Sequence, residues 1–281
     1  AVMKDVLGMT NDEIHKTFAE WNEGRLDSYL IEITRDIMGY KDEKGNYVVD
    51  EILDTAGQKG TGKWTSQSAL DEGVALTLIS EAVFSRCLSA LKEQRVAAAK
   101  QLQKKKLDVK IDRAAVLKDL EEALFCSKVV SYAQGYSLMA TAAETFGWTL
   151  DMGGIAMIWR GGCIIRSAFL NEIKKSFEAD PNLANLMLAP YFKDVLDKGQ
   201  EAWRRIVTLG ISSAVAVPAM SSALAYFDGY FTDRLPANLL QAQRDYFGAH
   251  TFEKLGHPRG EFFHVNWTGK GGTTSASTYS V

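Results

Sequence analysis

The segment best equipped for chemistry is Gly57-Gln58-Lys59-Gly60-Thr61-Gly62-Lys63-Trp64-Thr65. Its glycines let the backbone approach a ligand closely. Lys59 offers a positive charge and Thr61 a hydroxyl, and successive exposed amides can form a nest for an anion. The pattern nearly fits the phosphate loop G-x-x-x-x-G-K-[ST], but Trp64 stands where a hydroxyl would hold magnesium, and no alternation of strands and helices surrounds it. A nucleoside triphosphatase is therefore disfavoured, and a tight turn between two helices is the plain alternative. Arg86 lies among Phe84, Cys87 and Leu88. An arginine near an apolar face usually pairs with a carboxylate or snorkels, and its planar fork also suits a phosphate. Arg244-Asp245-Tyr246-Phe247-Gly248-Ala249-His250 gathers a guanidinium, a phenol and an imidazole, a set that points to recognition of a polar ligand.

Other chemistry is poorly supported. His15, beside Lys16 on an amphipathic stretch, is expected to be exposed, and His257 and His264 are spaced too irregularly for a metal motif. No H-E-x-x-H, paired CxxC or G-x-S-x-G occurs, and no G-x-G-x-x-G follows a strand, so neither a metal site nor a dinucleotide fold is expected in this chain. Cys87, Cys126 and Cys163 are far apart and odd in number, which fits buried thiols in a reducing cytoplasm better than a disulfide framework. The net charge of −3 gives no general reason to bind nucleic acid or an anionic membrane. The apolar run Ile211–Ala225 is interrupted by Ser and Pro and falls short of a membrane span.

The elements that must position these residues read as all-α. No proline precedes Pro181, and apolar residues recur at helical spacing over long stretches. In Glu81–Arg95 the set Val83, Phe84, Cys87, Leu88 and Leu91 shares one helical face. Thr10 with Glu13 predicts a capping box. Asp180-Pro181 predicts an N-cap followed by proline at the first helical position. Further helices are expected over Ser127–Ala143 and Pro236–His250, and Asn46–Leu53 carries a competing strand signal.

The chain also repeats itself. Gly8-Met9-Thr10-Asn11-Asp12 matches Gly147-Trp148-Thr149-Leu150-Asp151, and Trp64 and Leu70 match Trp203 and Leu209 at the same offset of 139 residues. A repeat this long implies two large helical units and not a solenoid. The expected organisation is a first helical repeat over 1–96, lacking most of its opening helix, a lysine-rich solvated connection over 97–113, a second repeat over 114–233 and a tail over 234–281. From Asn266 the tail is rich in Gly, Ser and Thr; it is expected to be either disordered or an arm anchored on a partner through Trp267 and Tyr279.

Three segments together resemble the 6-phosphogluconate dehydrogenase family: Asp54–Thr65, Gly153-Gly154-Ile155 through Trp159–Arg166, and Pro236-Ala237-Asn238-Leu239 through Gln243–His250. The ending Asn266-Trp267-Thr268-Gly269 fits as well. The resemblance spans nearly the whole chain, but only to the family's helical domain and tail. It implies an NADP-dependent oxidation and decarboxylation of 6-phosphogluconate to ribulose 5-phosphate and carbon dioxide, within the pentose phosphate pathway of the cytoplasm. It also implies a homodimer whose tail enters the other subunit. The family's catalytic lysine and glutamate have no counterpart here, so no catalytic residue is assigned and the chain alone is expected to lack dehydrogenase activity. By resemblance, Lys59, Thr61 and Arg86 hold the substrate phosphate, Arg244 and His250 complete the neighbouring subunit's substrate site, and Ala276, Ser277, Thr278 and Tyr279 approach the partner's NADP. The rival reading is a helical dimerisation module that kept the fold and lost the site.

Overall fold

The structure, a computed structural model, describes residues 1–269. A short π-helical turn at Val2–Val6 is followed by α1 (Asn11–Asn22), α2 (Tyr29–Gly39), α3 (Val48–Glu51), α4 (Thr61–Asp71), α5 (Thr77–Ser89) and α6 (Lys92–Gln101). Then come α7 (Arg113–Phe146), α8 (Met152–Ile158), α9 (Leu170–Ala179), a 3₁₀ turn at Leu186–Leu188, α10 (Pro190–Ser212), α11 (Pro218–Tyr230) and α12 (Ala237–Gly248). The pair β1 (Phe252–Glu253) and β2 (Phe262–Phe263) runs antiparallel. The all-α expectation therefore holds. The chain divides into two compact units, Ala1–Phe227 and a second that begins at Asp228. Among the described residues no helix is long and apolar enough to cross a membrane.

α7 is the axis of the first unit, and its 34 residues rise about 50 Å at helical pitch. Asp112 caps its start by accepting from the amides of Ala114 and Ala115, and Gly147, in the left-handed conformation at φ 67°, ends it. Ala123, Phe125, Cys126, Val129, Val130 and Ala133 have no exposed surface, so the middle of α7 is covered on several sides. α10 packs along it through Phe192, Leu196, Gly199, Trp203 and Ile206, spaced at the three- and four-residue steps of one helical face. A Cβ on Gly199 would overlap the Cys126 sulfur, so glycine is what lets the two helices approach. Phe169 completes this core edge-on to Phe125 and Phe192, each 5.8 Å away.

The 139-residue offset has a geometric counterpart. Gly8 and Gly147 both take left-handed backbone, at φ 61° and 67°. An antiparallel bridge pairs Ser28 with Ser167, residues that the offset makes equivalent. Around it the Tyr29 amide donates to the Arg166 carbonyl (3.2 Å) and the Ala168 amide to the Asp27 carbonyl (2.9 Å). Arg166 also pairs with Asp27 and Glu32. A bridge between equivalent residues requires a local near-twofold axis through it. The equivalence does not extend to environment, because Trp203 is fully buried whereas Trp64 is 62% exposed.

Several local expectations are corrected. The predicted helix Glu81–Arg95 is two helices, α5 and α6, meeting at Ala90 and Leu91, and its apolar face is largely open: Phe84, Cys87, Leu88 and Leu91 are exposed. Asp180 is the C-cap of α9 and not an N-cap; its carboxylate accepts from the Asn182 amide in a turn, and Pro190 occupies the first position of the next long helix. Asn46–Leu53 holds α3, with strand pairing limited to a single bridge between Lys41 and Tyr47. His15 is half-buried, bonded through Nδ1 to the Arg35 carbonyl (2.7 Å), and its ring fills the space above Gly39. Of the three free thiols only Cys126 is buried; burial, with Glu122 adding and Arg25 opposing, pushes its pKa up to about 12. The capping box holds, with the Thr10 hydroxyl accepting from the Glu13 amide and the Glu13 carboxylate from the Thr10 amide.

Candidate functional site

The glycine-rich loop leads straight into a helix. α4 begins at Thr61, its N-cap is Gly60, and no side chain caps it. A helix start leaves backbone amides unpaired and carries partial positive charge, so this end suits an anion. Lys59 sits two residues before it, and Thr61 and Lys59 are both exposed. Among the described residues neither Lys59 nor Arg86 has an ion-pair partner, although at least thirteen other lysines and arginines are paired. Of the alternatives open for Arg86, pairing with a carboxylate is not seen among the described residues, and both cations remain available to a ligand.

Three sets of contacts fix this loop against α5, which carries Arg86. A Cβ on Gly62 would lie 3.0 Å from Val83 Cγ2, so the first turn of α4 approaches α5 one residue after Thr61 and three before Arg86. Ser66 and Ser80 join the same helices by a hydroxyl–hydroxyl hydrogen bond of 3.1 Å. On the other side the Ala56 amide donates to Ser89 Oγ (2.9 Å), and the same hydroxyl reaches the Arg86 carbonyl (2.7 Å). Arg95 spans the Asp54 carboxylate, the Asp54 carbonyl (2.9 Å) and the Ser89 carbonyl (3.0 Å), and Lys92 also bonds Asp54. The Lys92 hydrogen bond, against some desolvation and with help from Arg95, holds the Asp54 carboxyl below the ordinary carboxylate range.

α5 is positioned from behind. Its N-terminus has no cap of its own; Gln134 of α7 supplies one, with Oε1 accepting from the Leu78 amide and Nε2 donating to the Thr77 hydroxyl, both at 3.0 Å. Gln134 is fully buried. A buried amide with both ends satisfied ties the helix bearing Arg86 to the core. The scaffold therefore brings Lys59, Thr61 and Arg86 onto one assembly of loop, α4 and α5. A separate groove of 670 Å³, lined by Ile14, Phe18, Trp21, Leu120, Leu124 and Met220 among others, is apolar and involves none of the three.

Arg244 and His250 belong to the second unit. Arg244 is held by Gln241, one turn back on α12, at 3.0 Å. The His250 ring stands edge-on to Phe247 with centroids 5.8 Å apart, and a Cβ on Gly248 would collide with it at 2.6 Å. Asp245, between them in sequence, is fully buried. Ala276, Ser277, Thr278 and Tyr279 lie outside the described residues. Among the described residues no group of three or more His, Cys, Asp and Glu side chains is placed to hold a metal. Nor does any parallel sheet with a glycine-rich turn, the usual dinucleotide cradle, occur among them.

Sequence reasoning missed the supporting residues. Asp54 and Gly62 lie within the Asp54–Thr65 motif, but nothing local marks their contacts with Lys92, Arg95 and Val83. Ser89, Arg95 and Gln134 carry no local signal, because their partners lie 33, 41 and 56 residues away.

The profile of a family described as "6-phosphogluconate dehydrogenase, C-terminal domain" matches residues 1–267. The 6-phosphogluconate dehydrogenase, decarboxylating, of Mus musculus is 53% identical over the whole chain, and that of Drosophila melanogaster 54%; in each case the chain covers 58% of the relative. The Aggregatibacter actinomycetemcomitans protein of the same name is 52% identical over 279 residues. The chain thus spans little more than half the length of the curated relatives it matches. A solved Plasmodium falciparum 6-phosphogluconate dehydrogenase, studied in its apo form, with its cofactor NADP+ and with its substrate 6-phosphogluconate, is similar with a TM-score of 0.91 at 40% identity. The match covers 95% of this chain and 57% of that one.

Proposed function

The chain belongs to the 6-phosphogluconate dehydrogenase family, as its C-terminal helical domain, and from that premise we propose that it supplies the phosphate-holding and dimer-forming part of an enzyme that oxidatively decarboxylates 6-phosphogluconate. The observation that carries this reading is the uncapped start of α4 beside two cations without ion-pair partners, Lys59 and Arg86. A phosphate dianion needs several fixed donors. Amides at a helix start, the Thr61 hydroxyl, an ammonium and a guanidinium provide them in complementary geometries. Retention of this set argues against a dimerisation module that has lost its site. The division into repeats over 1–96 and 114–233, a connection over 97–113 and a tail from 234 belongs to the same proposal.

Arg244 and His250 serve the partner subunit's site in this reading, which makes substrate binding depend on a homodimer. NADP would be the cofactor of the whole reaction and would supply its hydride acceptance when bound. The described residues offer no parallel-sheet cradle for it; in this reading the chain's own residues bind and orient the substrate. A cytoplasmic setting follows from the reaction class.

Titration of 6-phosphogluconate into the dimeric protein by calorimetry tests the reading. Saturable binding is expected, and Arg86→Ala or Arg244→Ala should each weaken it by about one to two decades, since a charge-assisted hydrogen bond contributes roughly 1.5–3 kcal/mol. Mixed dimers of the two variants should regain one tight site per dimer, because one shared site keeps both arginines. Absence of binding at millimolar substrate by a folded dimer, or no recovery in the mixed dimer, would sink the proposal or its shared-site part respectively.

A further inference from the structure

Asp245 is fully buried although its neighbours in sequence are not: Arg244 is half-buried and Tyr246 exposed. Its carboxylate is the meeting point of four donors. Oδ1 accepts from the Thr251 amide (3.0 Å) and His264 Nδ1 (2.9 Å). Oδ2 accepts from the Val265 amide (3.0 Å) and the Trp267 indole Nε1 (2.8 Å). Burial alone would raise the pKa of this carboxyl; the hydrogen bonds from His264, Val265, Trp267 and Thr251 together outweigh it and hold the group ionised below the ordinary carboxylate range.

The two proposed substrate contacts adjoin this centre. Arg244 immediately precedes Asp245, and His250 immediately precedes Thr251. The backbone that carries His250 does not rest in a favoured conformation. Ala249 has φ 48° and Thr251 has φ 62°, the left-handed region, which a β-branched residue rarely enters. Such a conformation persists only where surrounding contacts over-determine it. The bond from the Thr251 amide to Asp245 is the contact that closes this turn, and the turn in turn places the imidazole against Gly248 and Phe247.

We propose that Asp245 is a positioning residue for the substrate site, its carboxylate fixing the turn that carries the His250 imidazole. The proposal rests on the reading of Arg244 and His250 as substrate contacts. All four partners donate, so the acceptor must present two oxygens. An asparagine would turn one of them into an NH₂ facing donors. Only His264 can adapt, by moving its proton to Nε2, an atom that is shielded and has no partner among the described residues; the Thr251 amide would then still lose its acceptor. A glutamate would carry the same two oxygens one methylene too far. The effect reaches the ligand as lost preorganisation, since the His250 contact must be held before binding to contribute fully.

The test uses the dimeric protein, 6-phosphogluconate calorimetry and ¹H–¹⁵N spectra of the tryptophan indoles and the histidine rings, with Trp267→Phe to assign the Trp267 signal. Asp245→Asn should keep helix content and dimerisation, shift the Trp267 indole and the His264 ring signals, and weaken 6-phosphogluconate about tenfold. Arg244→Ala is the control for the underlying reading: unchanged affinity in that variant refutes the substrate-contact assignment itself. Weakened binding by Arg244→Ala together with unchanged binding by Asp245→Asn overturns the positioning role alone. Should Asp245→Asn lose its fold, a second pair decides. His264→Gln, which keeps a side-chain donor, should bind within about twofold of the parent, and His264→Leu about threefold more weakly. Equal affinity of His264→Leu and the parent overturns the proposal.

Discussion

Replacing Lys128 with methionine should stabilise the fold at neutral pH and lose that advantage in alkali. Lys128 lies on α7 among core residues, and its Nζ is shielded and has no hydrogen-bond partner among the described residues. The face of Phe169, 5.3 Å away, is its nearest aromatic compensation. Burial lowers its pKa from 10.5 to about 8; Asp27 works against the shift and Arg166 with it. Between those two pH values the unfolded chain holds a proton that the folded chain does not, so stability rises with pH across the window. Below pH 8 both states are protonated and the fold carries the full cost of a desolvated ammonium. The difference in pKa corresponds to about 3 kcal/mol as an upper bound, and methionine fills similar volume without charge. A gain of about 1–3 kcal/mol at pH 7 is therefore expected. Urea unfolding of both proteins from pH 7 to 10.5 measures it, and taking the difference removes every other titrating group. Parallel stability curves, or a loss on substitution at pH 7, would refute the assignment of a buried, uncompensated charge.

Gly199→Ala should cost about 1–3 kcal/mol by overpacking α10 on α7, and Cys126→Ala in the same chain should recover part of that cost. A double-mutant cycle by chemical denaturation checks this, and strict additivity would contradict the contact. Gln134→Leu should cost about 1–3 kcal/mol, because the Leu78 amide is left buried without an acceptor. It should also weaken 6-phosphogluconate binding through Arg86 on the same helix; unaltered stability and unaltered affinity together would show that α5 is held by other contacts.

What the sequence made legible was local. The Thr10–Glu13 box could be read because its donors and acceptors lie within one turn. The residue types of the glycine-rich loop before α4 were equally visible, since glycines, lysine and threonine adjoin one another. Asp180-Pro181 misled for a physical reason: aspartate before proline suits a turn as well as a helix start, and only the chain beyond decides. The break between α5 and α6 at Leu91 was hidden because the apolar spacing continues through it, with Leu91 on the same periodic face as Phe84 and Leu88. That this face stands open while its counterpart near Trp203 is covered is a tertiary fact, and periodicity cannot report it. Asp245 carries no local mark of its role, because its donors lie 6 to 22 residues downstream.

The bridge between Ser28 and Ser167 constrains how the two halves of the first unit can change over time. Most equivalent positions are remote from each other and can drift apart, as the opposite environments of Trp64 and Trp203 illustrate. Residues on the axis have no such freedom. Ser28 and Ser167 are 2% and 6% exposed and face each other, so a larger side chain in one copy takes its room from the other. A substitution at either serine should therefore be accommodated best together with a compensating change at the other.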